Sequence, residues 1–467
     1  MFFNSLTFIY FFIAVLGLNA LLPLRARNGA LLAAGFVFYA SWSPVYILLL
    51  LFTAVLDYFL ALKMASLPTK EGRKPWLVAS LVFSIGSLLF FKYTQMALST
   101  LGWLSSWTAS SWRPPFLDIV LPLGISFYTF ETISYGIDVY RGELKPKKSF
   151  FEYLSFLFFF PKLIAGPIVR ASEFLPQISA PRTCSLVDGQ RALHLLAIGF
   201  GKKVLLADNF APFIEEVFAN PLAHNRWACL VAVFGYSMQV YLDFSAYTDI
   251  AHGCARLLGF ELPRNFNKPY LAVSISDFWR RWHISLSRWL RDYFYIPMGG
   301  SQGGDLVTYR NLFLTMLIGG LWHGANWTFV VWGALNGTFL LLERAWYQFR
   351  GVPMKREQDM LMLERVVRIA SVFCLITFTR IFFRSPTFGG AGDMLHAIFL
   401  GGAVYGEKEF ALIGIPIATL IYVYLSRYRE RWLAADIEGW AIPGYAVYLT
   451  VLLAFGATRA EFIYFQF

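Results

Sequence analysis

Charge is what this 467-residue sequence has little of: Asp, Glu, Lys and Arg make up 15 % of it, against roughly 25 % in an ordinary soluble domain. Cysteine is scarce as well. Cys184, Cys229, Cys254 and Cys374 lie far apart, which excludes a disulfide scaffold and leaves no pair at redox or metal-ligand spacing. They read as packing residues, and no metal site is expected. There is no Gly-rich phosphate loop closed by Lys-Ser/Thr, no His-Glu-x-x-His and no Gly-x-Ser-x-Gly elbow, so P-loop energy coupling, zinc peptidase chemistry and the α/β-hydrolase nucleophile are not expected. No period of 20–50 residues repeats, which argues against a solenoid. The first apolar run, 2–22, lacks a basic segment before it and reads as a retained helix, not a leader.

What is present is apolar. Hydrophobic residues reach 57 % and aromatics 18 %, with 47 Phe, and the mean hydropathy is +0.53. A soluble fold of this length cannot hide so much apolar surface. The class is therefore an all-α polytopic membrane protein. Runs near the ~20 residues a crossing needs fall at 2–23, 29–43, 45–62, 76–91, 117–139, 150–166, 227–250, 308–322, 327–343, 366–383, 409–425 and 441–457. About 11 true spans are expected, with the rest re-entrant or interfacial. One membrane domain divides into N-terminal helices (1–168), interfacial helices (169–225), a core (226–346) and C-terminal helices (347–467). Within the second part, 186–210 interleaves Leu, Val and Phe with Arg191, His194, Lys202 and Lys203, the pattern of an amphipathic pair at the membrane surface.

The net charge of +11 comes from 40 basic against 29 acidic residues. Arg25 and Arg27, then Lys63, Lys70, Arg73 and Lys74, then Arg141, Lys145, Lys147 and Lys148 sit in short loops between apolar runs. That placement sets orientation, with these loops cytoplasmic and the N-terminus outside. The nearly uncharged stretch 93–115 suits the outer face. A nucleic-acid partner is not expected, and the bilayer is the partner the charge is arranged for.

Ionisable residues inside apolar runs are expensive and so point to function. His323 lies in Ile318-Gly319-Gly320-Leu321-Trp322-His323-Gly324-Ala325-Asn326. An imidazole of pKa about 6.5 is suited to general base work, and a structural histidine bonded to a nearby carbonyl is the alternative. His283 lies in a run from Ser274 to Asp292 that reads as one surface helix. Phe278, Trp282, Leu286, Trp289 and Tyr293 form its apolar face, and Arg280, His283, Ser287 and Arg291 an adjacent polar stripe. Its arginines suit phosphates or membrane anchoring. Asp243, Asp249 and Glu131 suit a ligand path or a polar packing network. His194, His224, His252 and His396 read as structural.

Two histidines in this order and setting resemble the membrane-bound O-acyltransferase family, in particular its bacterial branch serving alginate O-acetylation. The resemblance runs over nearly the whole chain. It rests on Leu121-Pro122-Leu123-Gly124-Ile125-Ser126-Phe127-Tyr128, Phe160-Pro161-Lys162-Leu163-Ile164-Ala165-Gly166-Pro167 and Asp243-Phe244-Ser245-Ala246-Tyr247, where Ala246 stands in place of the branch's usual Gly. It continues through Asn265-Phe266-Asn267-Lys268-Pro269-Tyr270, Phe278-Trp279-Arg280-Arg281-Trp282-His283, Tyr309-Arg310-Asn311-Leu312, Leu321-Trp322-His323-Gly324-Ala325 and the terminal Tyr464-Phe465-Gln466-Phe467.

The resemblance implies a helical basket around a central tunnel in the bacterial inner membrane. His323 would be the catalytic residue and His283 the second polar position. Acetyl would pass from cytosolic acetyl-CoA, a substrate and not a bound cofactor, toward an extracytoplasmic polysaccharide, with an SGNH-hydrolase-like partner completing transfer. Donor-binding candidates are Arg280, Arg281, Arg288, Arg291 and Lys268, with Arg310 behind them. Tunnel or oxyanion candidates are Trp322, Asn326, Asp243 and Ser287. Competing readings are D-alanyl transfer to a cell-wall polymer, a transporter using the buried carboxylates, and a scaffold.

Overall fold

The computed structural model describes residues 1, 3–108, 112, 114–351 and 359–401, and among them there are helices and connections but no strand. The expected runs 409–425 and 441–457 lie outside the described residues. The chain separates into two compact units, residues 1–184 with 254–263, and residues 185–253 with 264–467.

The first unit contains α1 (Leu6–Leu21), α2 (Leu24–Ala40), α3 (Val45–Ala65), α4 (Lys70–Leu88), α5 (Thr94–Ser105), α6 (Ile125–Arg141), α7 (Phe150–Leu157), α8 (Phe160–Leu163) and α9 (Ala171–Ser179). Short hydroxyl side chains start several of them. Ser5, Thr69 and Ser149 accept from the backbone N–H three residues on, which satisfies a donor the helix cannot. Gly124 and Gly142, at φ +73° and +80°, bound α6 at either end, where the left-handed backbone suits glycine. Almost every residue of α6 is buried. Its Glu131 meets Lys162 at 2.5 Å, and the Lys162 ammonium also lies 4.3 Å from the Phe156 ring centroid.

One candidate run takes another form in this unit. The run 150–166 is not one span, because the chain leaves the helix after Leu157, passes Phe159 in an extended conformation and re-enters a single turn at Phe160–Leu163 carrying Pro161. The run 76–91 continues beyond its expected end. A π-helical turn, Leu89–Tyr93, joins α4 to α5, so one continuous apolar helix runs from Lys70 to Ser105.

The second unit contains α10 (Leu186–Phe200), α11 (Asp208–Ala219), α12 (Arg226–Leu257), whose last turn belongs to the first unit, α13 (Ile275–Arg281), α14 (Ile284–Leu290), α15 (Gly304–His323), α16 (Trp327–Arg350), α17 (Met362–Arg384) and α18 (Phe388–Leu400). Lys202 and Lys203 do not sit at a membrane surface as expected for 186–210. They lie on a π-helical segment, Gly201–Ala207, with Lys203 only 1 % exposed. Lys202 pairs with Asp249 at 2.7 Å, and Lys203 pairs with Asp208 and Asp243 at 2.8 Å each. The carboxylates of α12 and α11 offset part of the cost of burying the ammonium groups, so these residues need not reach for a headgroup.

By length and composition four described helices can cross a bilayer: Val45–Ala65, Lys70–Ser105, Arg226–Leu257 and Met362–Arg384. α15 and α16 form the hairpin that carries His323. A Cβ on Gly320 would come within 2.4 Å of the Phe329 carbonyl oxygen, and one on Gly333 within 2.6 Å of the Met316 carbonyl oxygen. The two backbones touch because both residues lack a side chain, as in small-residue packing between membrane helices. Gly320→Ala or Gly333→Ala is expected to cost about 1–3 kcal/mol by overpacking. Gly17→Ala, with nothing within 4 Å of the added atom, is expected to be neutral or slightly stabilising. Thermal unfolding of the detergent-purified variants checks the contrast, and equal melting of all three would refute the close approach.

Candidate active site

The arginine-rich helix expected from Ser274 to Asp292 is broken in two at His283. α13 begins with Ser274 accepting from the Asp277 N–H at 3.0 Å. Glu343 of α16 closes the same end, accepting from the Ile275 N–H (2.7 Å), the Ser276 N–H (2.9 Å) and the Ser276 hydroxyl (2.6 Å). A carboxylate is favoured there by the unsatisfied donors and the helix dipole. α13 stops at Arg281, Trp282 is extended, and His283 takes a left-handed conformation, φ 42° and ψ 56°.

Asn265 holds that turn. Its carbonyl accepts from the Ile284 N–H at 2.9 Å. Its side-chain oxygen accepts from the Ser285 N–H at 3.2 Å and the Ser285 hydroxyl at 2.9 Å. These are the first donors of α14, which the helix itself cannot satisfy. The break also moves His283 away from the expected surface position. It is 1 % exposed, with its ring 4.8 Å from Phe244 and 5.7 Å from Trp322. Burial pushes its imidazole pKa down to about 3, so it is neutral at cellular pH, with one nitrogen able to donate and one to accept.

His323 is the last residue of α15 and is buried. Its ring contacts Trp322 at 4.9 Å, Trp332 at 5.0 Å and Phe383 at 5.1 Å between centroids. Trp322 therefore stands in ring contact with both histidines.

A cavity of about 460 Å³ reaches His323, and Arg280, Ser287, Arg288 and Arg291 line it. The structure thus brings together five of the residues singled out in the sequence. A neighbouring recess of about 590 Å³ shares Ser276, Arg280, Tyr295, Leu312 and Leu340 with the first cavity. It adds Arg344, Tyr347 and Gln348. Arg280 is exposed and makes no ion pair among the described residues, whereas Arg291 is held side-on by Asp292 at 2.6 and 3.2 Å.

The remaining candidates lie elsewhere. Arg281 is paired with Asp277 at 2.9 Å and does not line the cavity. Lys268, at φ 49°, precedes a single 3-10 turn, Pro269–Leu271. Asp243 belongs to the Lys203 ion pair. Arg310 donates to the Asn311 side-chain oxygen at 3.0 and 3.1 Å. Asn326 caps α16, accepting from the Thr328 N–H at 3.0 Å and donating to the Pro386 carbonyl at 2.7 Å.

Residues the sequence reading passed over are Asn265, Glu343, Arg344, Trp279 and Trp332. The indoles of Trp279 and Trp332 line the cavity beside His323, and both buried N–H groups have no hydrogen-bond partner. Two tryptophans among 15 carry no sequence signal for this. Glu343 did carry one, as a carboxylate within an apolar run.

The chain is similar to known proteins over most of its length. Residues 142–384 match the membrane-bound O-acyltransferase family. The "Probable alginate O-acetylase" of Pseudomonas syringae pv. tomato is 39 % identical over 91 % of this chain and 80 % of its own length. The "Peptidoglycan O-acetyltransferase" of Helicobacter pylori is 39 % identical over 74 % of this chain and 70 % of its own. The "Teichoic acid D-alanyltransferase" of Bacillus subtilis is 31 % identical over 49 % and 60 %. With its all-helical described residues and apolar helices, the chain is a membrane protein and an acyltransferase, and it belongs to the membrane-bound O-acyltransferase family.

Proposed function

We propose that this protein is a membrane O-acetyltransferase that takes acetyl from a cytosolic thioester, acetyl-CoA, and delivers it for O-acetylation of an extracytoplasmic polysaccharide. The observation that carries the reading is the single cavity lined by His323 at one wall and three arginines at another. A donor with phosphates at one end and a thioester at the other matches a recess where unpaired Arg280 supplies positive charge beside Arg344, which Asp305 holds only loosely at 3.4 Å, and an adjoining cavity that reaches His323. The O-acetylase relatives, matched over most of the chain, support acetyl as the group moved. The D-alanyl relative matches under half of it. As a transporter the chain would need open buried carboxylates, yet Glu131, Asp243 and Asp249 are each ion-paired at 2.5–2.8 Å.

In this mechanism the His323 imidazole takes the proton of the acceptor hydroxyl as its oxygen attacks the thioester carbonyl carbon. The carbon–sulfur bond breaks, and the departing thiolate takes the proton back from the imidazolium. In the relay variant the imidazole itself first accepts acetyl, then passes it to the hydroxyl. The developing oxyanion needs a donor. Trp332 suits this better than Trp322 or Asn326, because it lines the cavity beside His323 and its ring contacts that imidazole, whereas Trp322 is not part of the lining and the Asn326 amide is spent on capping. Neutral His283 does not line the cavity and acts through the Trp322 ring, which contacts both histidines. A helical basket of about 11 spans in the inner membrane, with an SGNH-hydrolase-like partner outside, completes the proposal, and the mechanism calls for no bound cofactor.

His323→Ala is expected to lower acetyl transfer from acetyl-CoA by about 10²–10⁴-fold, the usual contribution of a general base, with expression and melting retained. Full polymer acetylation by that variant would sink the assignment. Trp332→Phe is expected to lower kcat by about 10²-fold, at the low end for loss of an oxyanion donor, and an unchanged kcat would remove Trp332 from that role.

Arg280→Ala combined with Arg344→Ala is expected to raise KM for acetyl-CoA about tenfold or more, since each charge-assisted hydrogen bond contributes roughly 1.5–3 kcal/mol. KM for acetyl-N-acetylcysteamine, a thioester without phosphates, is expected to stay unchanged. Arg281→Ala, whose side chain is turned to Asp277, should leave both values alone. An equal rise for both thioesters would count against a phosphate vestibule.

A further inference from the structure

Arg380 lies near the end of α17 and is 1 % exposed. Every other ion in this unit discussed above that is buried as deeply has an opposite charge at 2.7–2.8 Å. Arg380 has none among the described residues. Its Cζ rests instead 4.8 Å from the Trp282 ring centroid, 5.1 Å from Phe383 and 5.9 Å from Trp332. The guanidinium shares one hydrogen bond with Tyr270, and its Nε and Nη2 are buried with no hydrogen-bond partner among the described residues. These two nitrogens share one edge of the planar group. Their N–H bonds run parallel, the fork that two oxygens of one carboxylate fill.

The surroundings favour an anion over a passive cation. An unpaired guanidinium is costly to bury in an apolar medium, and aromatic faces compensate it only in part. Arg384 stands one turn further along the same face, half-buried, with its Cζ 5.8 Å from the Phe218 ring centroid and no ion pair among the described residues. Both arginines act electrostatically on the Tyr236 hydroxyl, a third buried donor without a hydrogen-bond partner. Among the described residues the group is rich in donors and has no acceptor matched to the free edge of Arg380. Trp332 and Phe383 touch both Arg380 and His323, so whatever Arg380 holds is set against the ring pair that positions the catalytic imidazole.

We propose that Arg380 is a carboxylate-binding site, in which the Nε and Nη2 fork takes the carboxylate of an incoming acceptor and registers it against the His323 wall. The identity of the ligand as an acceptor rests on the acyl-transfer reading, but binding is read without donor or turnover, so failure of the carboxylate site and failure of acyl transfer are told apart. The same chemistry is offered by a sugar acid and by a carboxylate on a protein, and the probes separate them.

The test titrates the detergent-purified full chain with D-glucuronate, D-glucose, acetate and inorganic phosphate, following tryptophan fluorescence, to which Trp282 and Trp332 contribute. Saturable change with glucuronate and none with glucose is expected. Arg380→Lys, which keeps the charge and loses the fork, is expected to bind glucuronate at least tenfold more weakly, and Arg380→Met not to bind it. Acetate binding as tightly as glucuronate supports a site for carboxylates of any source, and tighter glucuronate binding supports a sugar acid. The proposal is overturned if glucose binds like glucuronate, if phosphate binds more tightly than either carboxylate, or if Arg380→Lys binds glucuronate as the parent does. Size-exclusion profile and melting temperature establish folding, and Arg380→Lys decides the outcome should Arg380→Met fail to fold.

Discussion

The hydrogen bonds from the start of α14 to Asn265 are the contacts on which the site geometry depends. A continuous helix from Ser274 to Asp292 would present Arg280, His283, Ser287 and Arg291 as one stripe. Asn265 instead satisfies the first donors of α14 from outside that segment, which lets the chain stop, turn through a left-handed residue and restart. The left-handed backbone disfavours a side-chain-bearing residue, yet here it is His283. The strained residue is the one carried into the interior, against Phe244 and Trp322, while the arginines on either side stay at the cavity. Strain at such a position is compatible with function because the surrounding hydrogen bonds fix it.

A second constraint, the cost of uncompensated charge in an apolar medium, separates structural ions from functional ones. Lys162, Lys202 and Lys203 are buried, and each has a carboxylate at 2.5–2.8 Å. They tie segments together and have no charge to spare. Arg281 and Arg291 are likewise matched, by Asp277 and Asp292. Arg280 at the cavity and Arg380 behind the His323 wall are not matched among the described residues. Charge left over after internal pairing is what a charged ligand can use, so this accounting picks out two places for anions that composition alone could not.

How much of this was legible follows from the range of each interaction. The ordered motifs around His283 and His323 identify the family and its chemistry, because they are local strings. The arginine run was legible as a basic helix, but its break was not: the Asn265 side chain that causes it lies 20 residues away from Ser285, and a 3.6-residue apolar period survives a one-residue interruption. Lys202 and Lys203 looked interfacial for the same reason, since their carboxylates on α12 are 47 and 40 positions away in sequence. Arg380 was visible by the rule that singled out His323, an ionisable residue inside an apolar run, but only the structure shows that no described residue neutralises it. Trp332 was invisible, because a free indole N–H is a property of packing and not of the sequence around it.

The α15–α16 hairpin connects these levels. Gly320 and Gly333 let two backbones touch, and the spacing they set fixes the distance between His323, at the end of one helix, and Trp332, on the first turns of the other. A base and an oxyanion donor must hold their places within a fraction of an ångström to be effective. Loops place groups less well than packed helices do, and this site uses few loops: His323 ends a helix, Trp332 lies within one, and His283 is held between two short ones by Asn265. In the proposed mechanism Gly320 and Gly333 therefore serve the site although neither can touch a substrate by chemistry of its own. Their role is to bring a rigid wall of rings close enough that one imidazole has a single orientation to adopt.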